Sequence, residues 1–389
     1  MKYEKLFPRL SQEEESAVRR DLQVMIESLC NGMRWNICAI ILTGSLPSGY
    51  GDLSTSDLDV LVITRIYDPL LDNRAKKVTA RVGSSCRFEV AQTPLFIFQR
   101  MPSVSKYDAL KAGKFVYGKR DLFESYSNFK IARYEAIKYL FNIAVINLLA
   151  ELQRKHVCTE SGVPFSKRLF SQCNKAYLAS CAALLILKSA YRPGYRPREE
   201  YFSSIYEDWY PTLSSKIPDL AEKVRLSTQF KTGEGSFKPN NFGEFVEKSV
   251  EDVVEVMKYC LQDYFNTSEK ETLRLVLMLD RFPHNWLNSL YYFQKYFMKI
   301  GRPPPMRCLF LEPILNIYVA GACLLLAVKD RNPTDYLAIA GSRISDLYSP
   351  LKLNSDPWQK WETLKKVCAF LHPQTLIVPQ MRYSWDPLS

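Results

Sequence analysis

The sequence is poor in histidine and lacks any paired cysteine motif. It contains 3 histidines, and its 10 cysteines, spread from Cys30 to Cys368, include no CxxC pair. Structural zinc sites need clustered cysteine and histidine ligands, and disulfide scaffolds need many closely spaced cysteines, so neither class is expected. Reduced thiols in a cytoplasmic protein are the simpler interpretation.

The sequence also lacks an apolar segment of the secretory or membrane-spanning kind. Its first residues are polar and lead to three consecutive glutamates, without an apolar core of the signal-peptide type. The longest apolar run, Leu309 to Val328, is interrupted by Glu312 and Pro313. Because a charged side chain is costly inside a bilayer, we predict a buried core helix there, no membrane association and a cytoplasmic location.

The composition is otherwise that of a folded protein. The chain has 389 residues, of which 47% are hydrophobic and 24% are charged, so it is long enough for two or three domains with their own cores. Its 52 lysines and arginines exceed its 41 aspartates and glutamates, giving a net charge of +11. A basic surface favours polyanionic partners such as nucleotides or nucleic acid.

Residue periodicity divides the chain into an α/β part and a helical part. A capping box at Ser11 opens an amphipathic helix that Asn31-Gly32 ends. Four short strands and one further helix are predicted before residue 128: strands Trp35 to Leu42, Leu58 to Ile63, Cys86 to Gln92 and Phe115 to Tyr117, and helix Leu71 to Val82. Helices are predicted in the remainder at Ala132 to Leu152, Lys167 to Ala190, Glu244 to Tyr264, Trp286 to Phe297, Ile314 to Val328 and Trp358 to Leu371.

These patterns predict an α+β fold with a mixed sheet and flanking helices, followed by a large all-helical region. We expect a first domain over 1–128, a helical domain over 129–302, and a C-terminal helical segment over 303–389 that packs on the preceding helices.

Paired acids begin the second predicted strand. Asp57 and Asp59 are two residues apart and therefore face the same side of the strand. Two neighbouring carboxylates repel each other, and a divalent cation is the usual means of keeping both ionised. Glu89 lies in Arg87-Phe88-Glu89-Val90, on a later strand that alternates in the same way. If the two strands are neighbours, three acids form a cluster for two Mg²⁺ ions, with Mn²⁺ as an alternative, as phosphoryl and nucleotidyl transfer require.

A Gly-Ser pair follows the first predicted strand. Glycine lets a ligand approach the backbone closely, and backbone amides at such a bend bind phosphate oxygens. Gly44 and the Ser45 hydroxyl are therefore candidates for binding the phosphates of a nucleotide.

Together, these motifs resemble the DNA polymerase β-like nucleotidyltransferase superfamily. Its signature is a Gly-Ser, a spacer of roughly ten residues, an Asp-x-Asp leading a hydrophobic strand, and a third acid on a later strand. Here these elements are Gly44-Ser45, Asp57-Leu58-Asp59 and Glu89, and the strand at Lys111 to Gly118 is similar to the one that closes the minimal version of this fold. The resemblance covers about residues 12–120.

The resemblance implies a fold, a reaction and a set of roles. Asp57 and Asp59 would bind both metal ions and the triphosphate, and Glu89 would bind the catalytic metal and help to deprotonate the acceptor hydroxyl. Gly44, Ser45 and Ser56 would bind the nucleotide. The enzyme would take a nucleoside triphosphate, with ATP expected, and transfer the nucleotidyl group to a hydroxyl. RNA, particularly a tRNA 3′ end, or another nucleotide is favoured as acceptor over a small molecule or a protein.

The chain departs from this pattern in two respects. Leu46-Pro47-Ser48 follows the Gly-Ser where many small members carry a basic residue, and the third acid is Glu rather than the commoner Asp. We assign the missing positive charge to Lys175 in the helical region. The basic and aromatic run from Tyr191 to Arg198 is interpreted either as a nucleic-acid contact or as a solvated turn.

Two other functions remain open. In the first, the fold serves as a non-catalytic nucleotide sensor or scaffold. In the second, the helical half serves as a platform for a partner protein.

Overall fold

The computed structural model divides the chain into two compact units. The first comprises Met1–Glu135, Lys188–Ser204 and Arg225–Phe237, and the second comprises Ala136–Leu187, Ile205–Val224 and Lys238–Ser389. The structure describes residues 6–51, 53, 57–82, 86–100, 103–118, 120, 123, 129–153, 165–235, 237–282, 289, 293, 306, 313–331, 334–347 and 355–372.

The first unit opens with helix α1 (Gln12–Cys30), which begins as the sequence predicts. The Ser11 hydroxyl accepts from the Glu14 amide at 3.2 Å, and the Glu14 carboxylate accepts from the Ser11 amide at 2.9 Å. This reciprocal pair satisfies two of the amides that a helix start leaves unpaired. The apolar face of the helix is buried through Val18, Leu22, Met25 and Leu29.

A four-stranded mixed sheet forms the centre of the first unit. Its strands are β1 (Ile37–Thr43), β2 (Leu58–Thr64), β3 (Phe88–Pro94) and β4 (Lys114–Gly118), in the spatial order β3-β2-β1-β4. All four were predicted from sequence and are confirmed. Strand β1 is antiparallel to both β2 and β4, whereas β2 and β3 are parallel. Parallel strands need a crossover connection, and α2 (Pro69–Val82) lies between β2 and β3 in the chain.

Both faces of the sheet are covered. On one face, alternate residues of β1 and β2 pack with α1 and α2 in a core that includes Ile40, Leu42, Leu58, Val60 and Phe88. On the other face, a smaller cluster includes Ile41, Ile63, Phe98, Ala109 and Phe123. Two short helices that the sequence analysis did not predict, α3 (Leu95–Arg100) and α4 (Val104–Lys111), supply Phe98 and Ala109.

The second unit is helical. Its central helix, Pro313–Lys329, is buried along most of its length, and Gly321 lies against Ile146. The prediction of a buried core helix in this apolar region is therefore confirmed. Among the described residues, the helices are either too short or too polar for a membrane crossing.

The remaining helices follow in chain order. They are α5 (Tyr134–Tyr139), a π-helical stretch (Leu140–Ile146), α6 (Asn147–Glu151), α7 (Lys167–Leu187), α8 (Tyr195–Trp209), α9 (Pro211–Ser214), α10 (Leu220–Lys231), α11 (Phe242–Phe265), α12 (Thr272–Leu277), a 3₁₀ turn (Met278–Arg281), α13 (Pro313–Lys329), α14 (Thr334–Ser345) and α15 (Pro357–Leu371).

Several of these helices were predicted and others were not. Those near Ala132, Lys167, Glu244, Ile314 and Trp358 are confirmed with boundaries shifted by a few residues. Helix α8 was not predicted, because its first residues belong to the run from Tyr191 to Arg198, which was interpreted as a nucleic-acid contact or a solvated turn. Pro197 lies in the first turn of that helix, where a missing amide costs little. The helix predicted from Trp286 to Phe297 falls largely outside the described residues.

The eight described cysteines are free, as the sequence suggested, and all but the half-buried Cys38 are buried. The division into domains over 1–128, 129–302 and 303–389 stays a prediction. The compact units found here place the end of the first continuous stretch at Glu135 and add two later segments to it.

We predict that Gly118→Ala destabilises the first unit. Gly118 has φ +86°, and a Cβ at this position would overlap the backbone carbonyl oxygen of Cys38. The substitution combines left-handed backbone strain with a backbone overlap, so the free energy of unfolding should fall by at least about 2 kcal/mol. Urea denaturation measures this change.

Gly32→Ala is the matched control. Gly32 has φ +73°, but nothing lies within 4 Å of the position of its Cβ. The free energy of unfolding of Gly32→Ala should fall only by the cost of the strained backbone, roughly 1 kcal/mol. Equal losses in the two variants would contradict the overlap at Gly118.

Candidate active site

The parallel pairing of β2 with β3 brings the predicted acids together. The Leu58 amide donates to the Arg87 carbonyl at 2.8 Å, and the register then pairs Leu58 with Phe88 and Asp59 with Glu89. Because successive side chains of a strand face opposite sides, Leu58 and Phe88 enter the core while the residues beside them face the other way. We call the surface formed by Asp57, Asp59, Arg87 and Glu89 the acidic face.

Arg87 lies between two of the three carboxylates. Its Nε is 3.6 Å from Oδ1 of Asp57, and its Nη2 is 3.5 Å from Oε1 of Glu89. The side chains of Asp57 and Glu89 are 31% and 32% exposed, and that of Arg87 is 49% exposed. Both acids therefore form ion pairs with the same guanidinium. The sequence analysis gave Arg87 no role, although its i, i+2 spacing from Glu89 places both on one side of the strand.

Gly44 brings the end of β1 against Asp59. The antiparallel register pairs Thr43 with Asp59, so Gly44 follows directly beside that residue. Gly44 has φ +88°, and a Cβ at this position would overlap Oδ2 of Asp59. Only glycine satisfies both the backbone conformation and the close approach, so the predicted Gly-Ser bend and the Asp-x-Asp motif lie together.

The turn over residues 44–51, the Gly44 turn, folds around Ser45. The Ser45 carbonyl accepts from the amides of Tyr50 and Gly51, each at 2.9 Å, and the Ser48 hydroxyl donates to the Gly44 carbonyl at 2.9 Å. Gly44 is exposed, whereas Ser45 is only 5% exposed. The exposed part of the motif is therefore the backbone at Gly44.

A later segment of the first unit, residues 188–204, packs beside the Gly44 turn. Gly194 has φ +85°, and a Cβ built there would lie 3.2 Å from the Tyr50 ring. In the same segment, Arg198 donates to the Tyr191 hydroxyl at 2.6 Å, and Tyr191 donates to the Asp108 carboxylate at 3.0 Å. The three form a polar chain in which Tyr191 and Arg198 are buried.

Tyr195, in the same segment, is influenced by the charges of the acidic face. Burial raises the pKa of Tyr195 to about 12, and Arg198 acts in the opposite direction. The carboxylates of Asp59, Asp108 and Asp57 raise the same pKa further, so Tyr195 lies within their field. Burial also raises the pKa of the Asp108 carboxyl, from 3.8 to about 6, although Arg198 and the Tyr191 hydrogen bond lower it.

The arginines of the Tyr191 to Arg198 run have partners within the first unit. Arg192 stacks on the Tyr201 ring at 3.7 Å, and Arg196 pairs with Glu234, which also accepts from Arg9 at 2.9 Å. Arg198 is buried. These contacts disfavour the interpretation of the run as a nucleic-acid contact.

Two of the predicted nucleotide-binding residues lie outside the described part of the first unit. Ser56 lies outside the described residues. Lys175 lies on α7 in the second unit, where burial raises the pKa of Glu151 and the charge of Lys175 partly opposes that rise. Their roles stay predictions.

The chemistry of the donors suits a hard divalent cation. Mg²⁺ prefers oxygen ligands, and the acidic face supplies three carboxylates on neighbouring strand positions. Within the ranges that the structure describes, no three His, Cys, Asp or Glu side chains are already arranged around a common ion position. Ion binding by all three acids would therefore require their side chains to change position.

Comparison of the chain with protein-family models and with curated proteins gave no match. A functional hypothesis for the acidic face therefore depends on the motif resemblance and on the placement of these residues.

We predict that Asp108 makes the stability of the first unit depend on pH. A carboxyl whose pKa is raised by folding keeps its proton in the folded state. Its contribution to the free energy of unfolding is therefore complete below pH 4 and is lost as the pH rises through about 6. The loss in unfolding free energy is up to about 3 kcal/mol. Asp108→Asn keeps an acceptor for Tyr191 and carries no charge, so it should not show this loss.

Urea denaturation at a series of pH values tests this prediction. The stability of Asp108→Asn relative to the wild type should increase between pH 4 and pH 7. Asp335→Asn, which changes an exposed carboxylate of the second unit, is the control and should keep the wild-type profile. A difference between Asp108→Asn and the wild type that does not change with pH would contradict the prediction.

Proposed function

We propose that this chain is a divalent-metal-dependent nucleotidyltransferase. It takes a nucleoside triphosphate, with ATP as the expected nucleotide, and transfers the nucleoside monophosphate to an acceptor hydroxyl with release of pyrophosphate. The observation that carries the proposal is the register of β2 and β3, which pairs Asp59 with Glu89, together with the backbone of Gly44 at the Asp59 carboxylate.

The nucleotidyltransferase fold is part of the same proposal. The first unit is a mixed α/β unit whose four strands form one mixed sheet. Support for the finer assignment comes from where the motifs lie: Gly44-Ser45 follows β1, Asp57 and Asp59 are at the start of β2, and Glu89 is on the strand parallel to it. The motifs of the superfamily that the sequence resembles occur in this order.

The proposed roles follow from position and chemistry. Asp57, Asp59 and Glu89 would bind two Mg²⁺ ions, or Mn²⁺ in their place. When bound, such ions neutralise the charge that develops on the attacking and leaving oxygens of an in-line displacement. Glu89 accepts the proton of the acceptor hydroxyl, and the exposed backbone at Gly44, with the neighbouring Ser45, contacts the phosphates.

The acceptor is proposed to be RNA, such as a tRNA 3′ end, or another nucleotide, rather than a small molecule. The net charge of +11 supports a polyanionic acceptor. Incubation of the protein with α-labelled ATP and Mg²⁺, separately with bulk tRNA, with nucleotides and with small hydroxyl compounds, identifies the acceptor from the labelled product.

A non-catalytic nucleotide sensor or scaffold is the second candidate function. It is favoured by the pairing of Arg87 with Asp57 and Glu89, which gives these acids a partner other than a metal. Metal-dependent ATP binding without turnover across the same acceptor panel would favour this candidate over the enzyme.

We predict that removal of any one of the three acids abolishes transfer. Asp57→Asn, Asp59→Asn and Glu89→Gln each remove one charged ligand while keeping the shape of the side chain. The rate of labelled product formation should fall at least about a hundredfold. The melting temperature should change little, because the side chains of Asp57 and Glu89 are partly exposed and none of the three replacements opens a cavity.

Glu13→Gln is a suitable control, because Glu13 is an exposed residue of α1 and makes the same change of charge. It should retain full activity. Wild-type rates in Asp59→Asn would refute the two-metal assignment.

A further inference from the structure

The acidic face contains its own cation. Arg87 and Glu89 are two residues apart and face the same side of the sheet. Across the strand pair, Asp57 lies at Arg87 and Asp59 is paired with Glu89. Two of the three carboxylates thus share one guanidinium, and the three acids together with Arg87 carry two net negative charges.

The contacts of this guanidinium are weak enough for exchange. Its distances of 3.6 Å to Asp57 and 3.5 Å to Glu89 exceed the roughly 2.7–2.9 Å of a charge-assisted hydrogen bond. Arg87 is 49% exposed, and exposed ion pairs contribute little to stability. A divalent ion carries twice the charge in a smaller volume and contacts carboxylate oxygens directly, so it competes well for the same two acids.

A second observation indicates that a displaced Arg87 would contact the phosphates of a nucleotide. The residues after Gly44-Ser45 are Leu46, Pro47 and Ser48, so the Gly44 turn supplies no positive charge for a triphosphate. Gly44 overlies Asp59, whose register partner is Glu89, a contact of Arg87. Arginine is the side chain whose planar donors fit phosphate oxygens best.

We propose that Arg87 is an exchangeable internal cation of the acidic face. It neutralises Asp57 and Glu89 when no divalent ion is bound, gives way to the ion when one binds, and then contacts the phosphates of the nucleotide. This proposal rests on the proposed function, since it concerns the same three acids, and it assigns to Arg87 the charge that the Gly-Ser motif lacks.

The test is a pair of binding measurements on Arg87→Gln. Binding of Mn²⁺ alone, measured by electron paramagnetic resonance, should become roughly two- to fivefold tighter, because the competing guanidinium is gone. Binding of the α,β-methylene analogue of ATP with Mg²⁺, measured by calorimetry, should become roughly tenfold weaker, because a charged phosphate contact is lost. A purely structural role would not move the two affinities in opposite directions.

Two variants serve as controls. Arg87→Lys keeps the charge and should bind Mn²⁺ as the wild type does. Arg65→Gln makes the same change of charge at the residue that follows β2, six residues from Asp59 and so about 20 Å away, and should leave both affinities unchanged. Melting with and without Mn²⁺ gives an independent measure: Mn²⁺ should raise the melting temperature of Arg87→Gln by more than that of the wild type, because the variant binds the ion more tightly.

The outcomes separate this proposal from the proposed function. Unchanged or weaker Mn²⁺ binding by Arg87→Gln overturns the exchange, and unchanged binding of the ATP analogue overturns the phosphate contact. If either occurs while Asp59→Asn still abolishes transfer, the nucleotidyltransferase stands without a role for Arg87. If both affinities shift as expected but no acceptor is modified, the exchange stands and the catalytic proposal fails.

Discussion

The parallel register of β2 and β3 is the constraint on which the acidic face depends. Side chains alternate along a strand, so a slip of one residue would turn the acids into the core and the apolar residues towards solvent. Leu58, Val60 and Phe88 are buried in the core formed with α1 and α2. Each such side chain contributes about 1.5–3 kcal/mol when fully buried, so the hydrophobic core fixes the position of the carboxylates.

Local patterns predicted the fold of the first unit well, because capping boxes and alternation are encoded within a few residues. Ser11, the four strands and α2 all lie where the sequence analysis placed them. Asp57, Asp59, Glu89 and Gly44 lie on the expected elements, and their mutual approach followed only once β2 and β3 were assumed to be neighbours.

Contacts between distant parts of the chain could not be predicted in this way. The pairing of Arg87 with Asp57 depends on strand register, and the hydrogen bond from Tyr191 to Asp108 joins residues 83 positions apart. The run from Tyr191 to Arg198 illustrates the difficulty. Its composition suggests a solvated or nucleic-acid-binding surface, whereas its arginines have partners inside the first unit.

The position of Arg87 also bears on whether the fold needs a metal. Like charges that face each other across a strand pair are destabilising, and Asp59 faces Glu89 directly. In small metal-dependent domains, ion binding supplies much of the folding free energy. Here one guanidinium offsets part of the repulsion, and burial of Leu58 and Phe88 supplies the register. The acidic face therefore forms without an ion, and the ion binding that we propose would be a local exchange of side chains rather than a folding event.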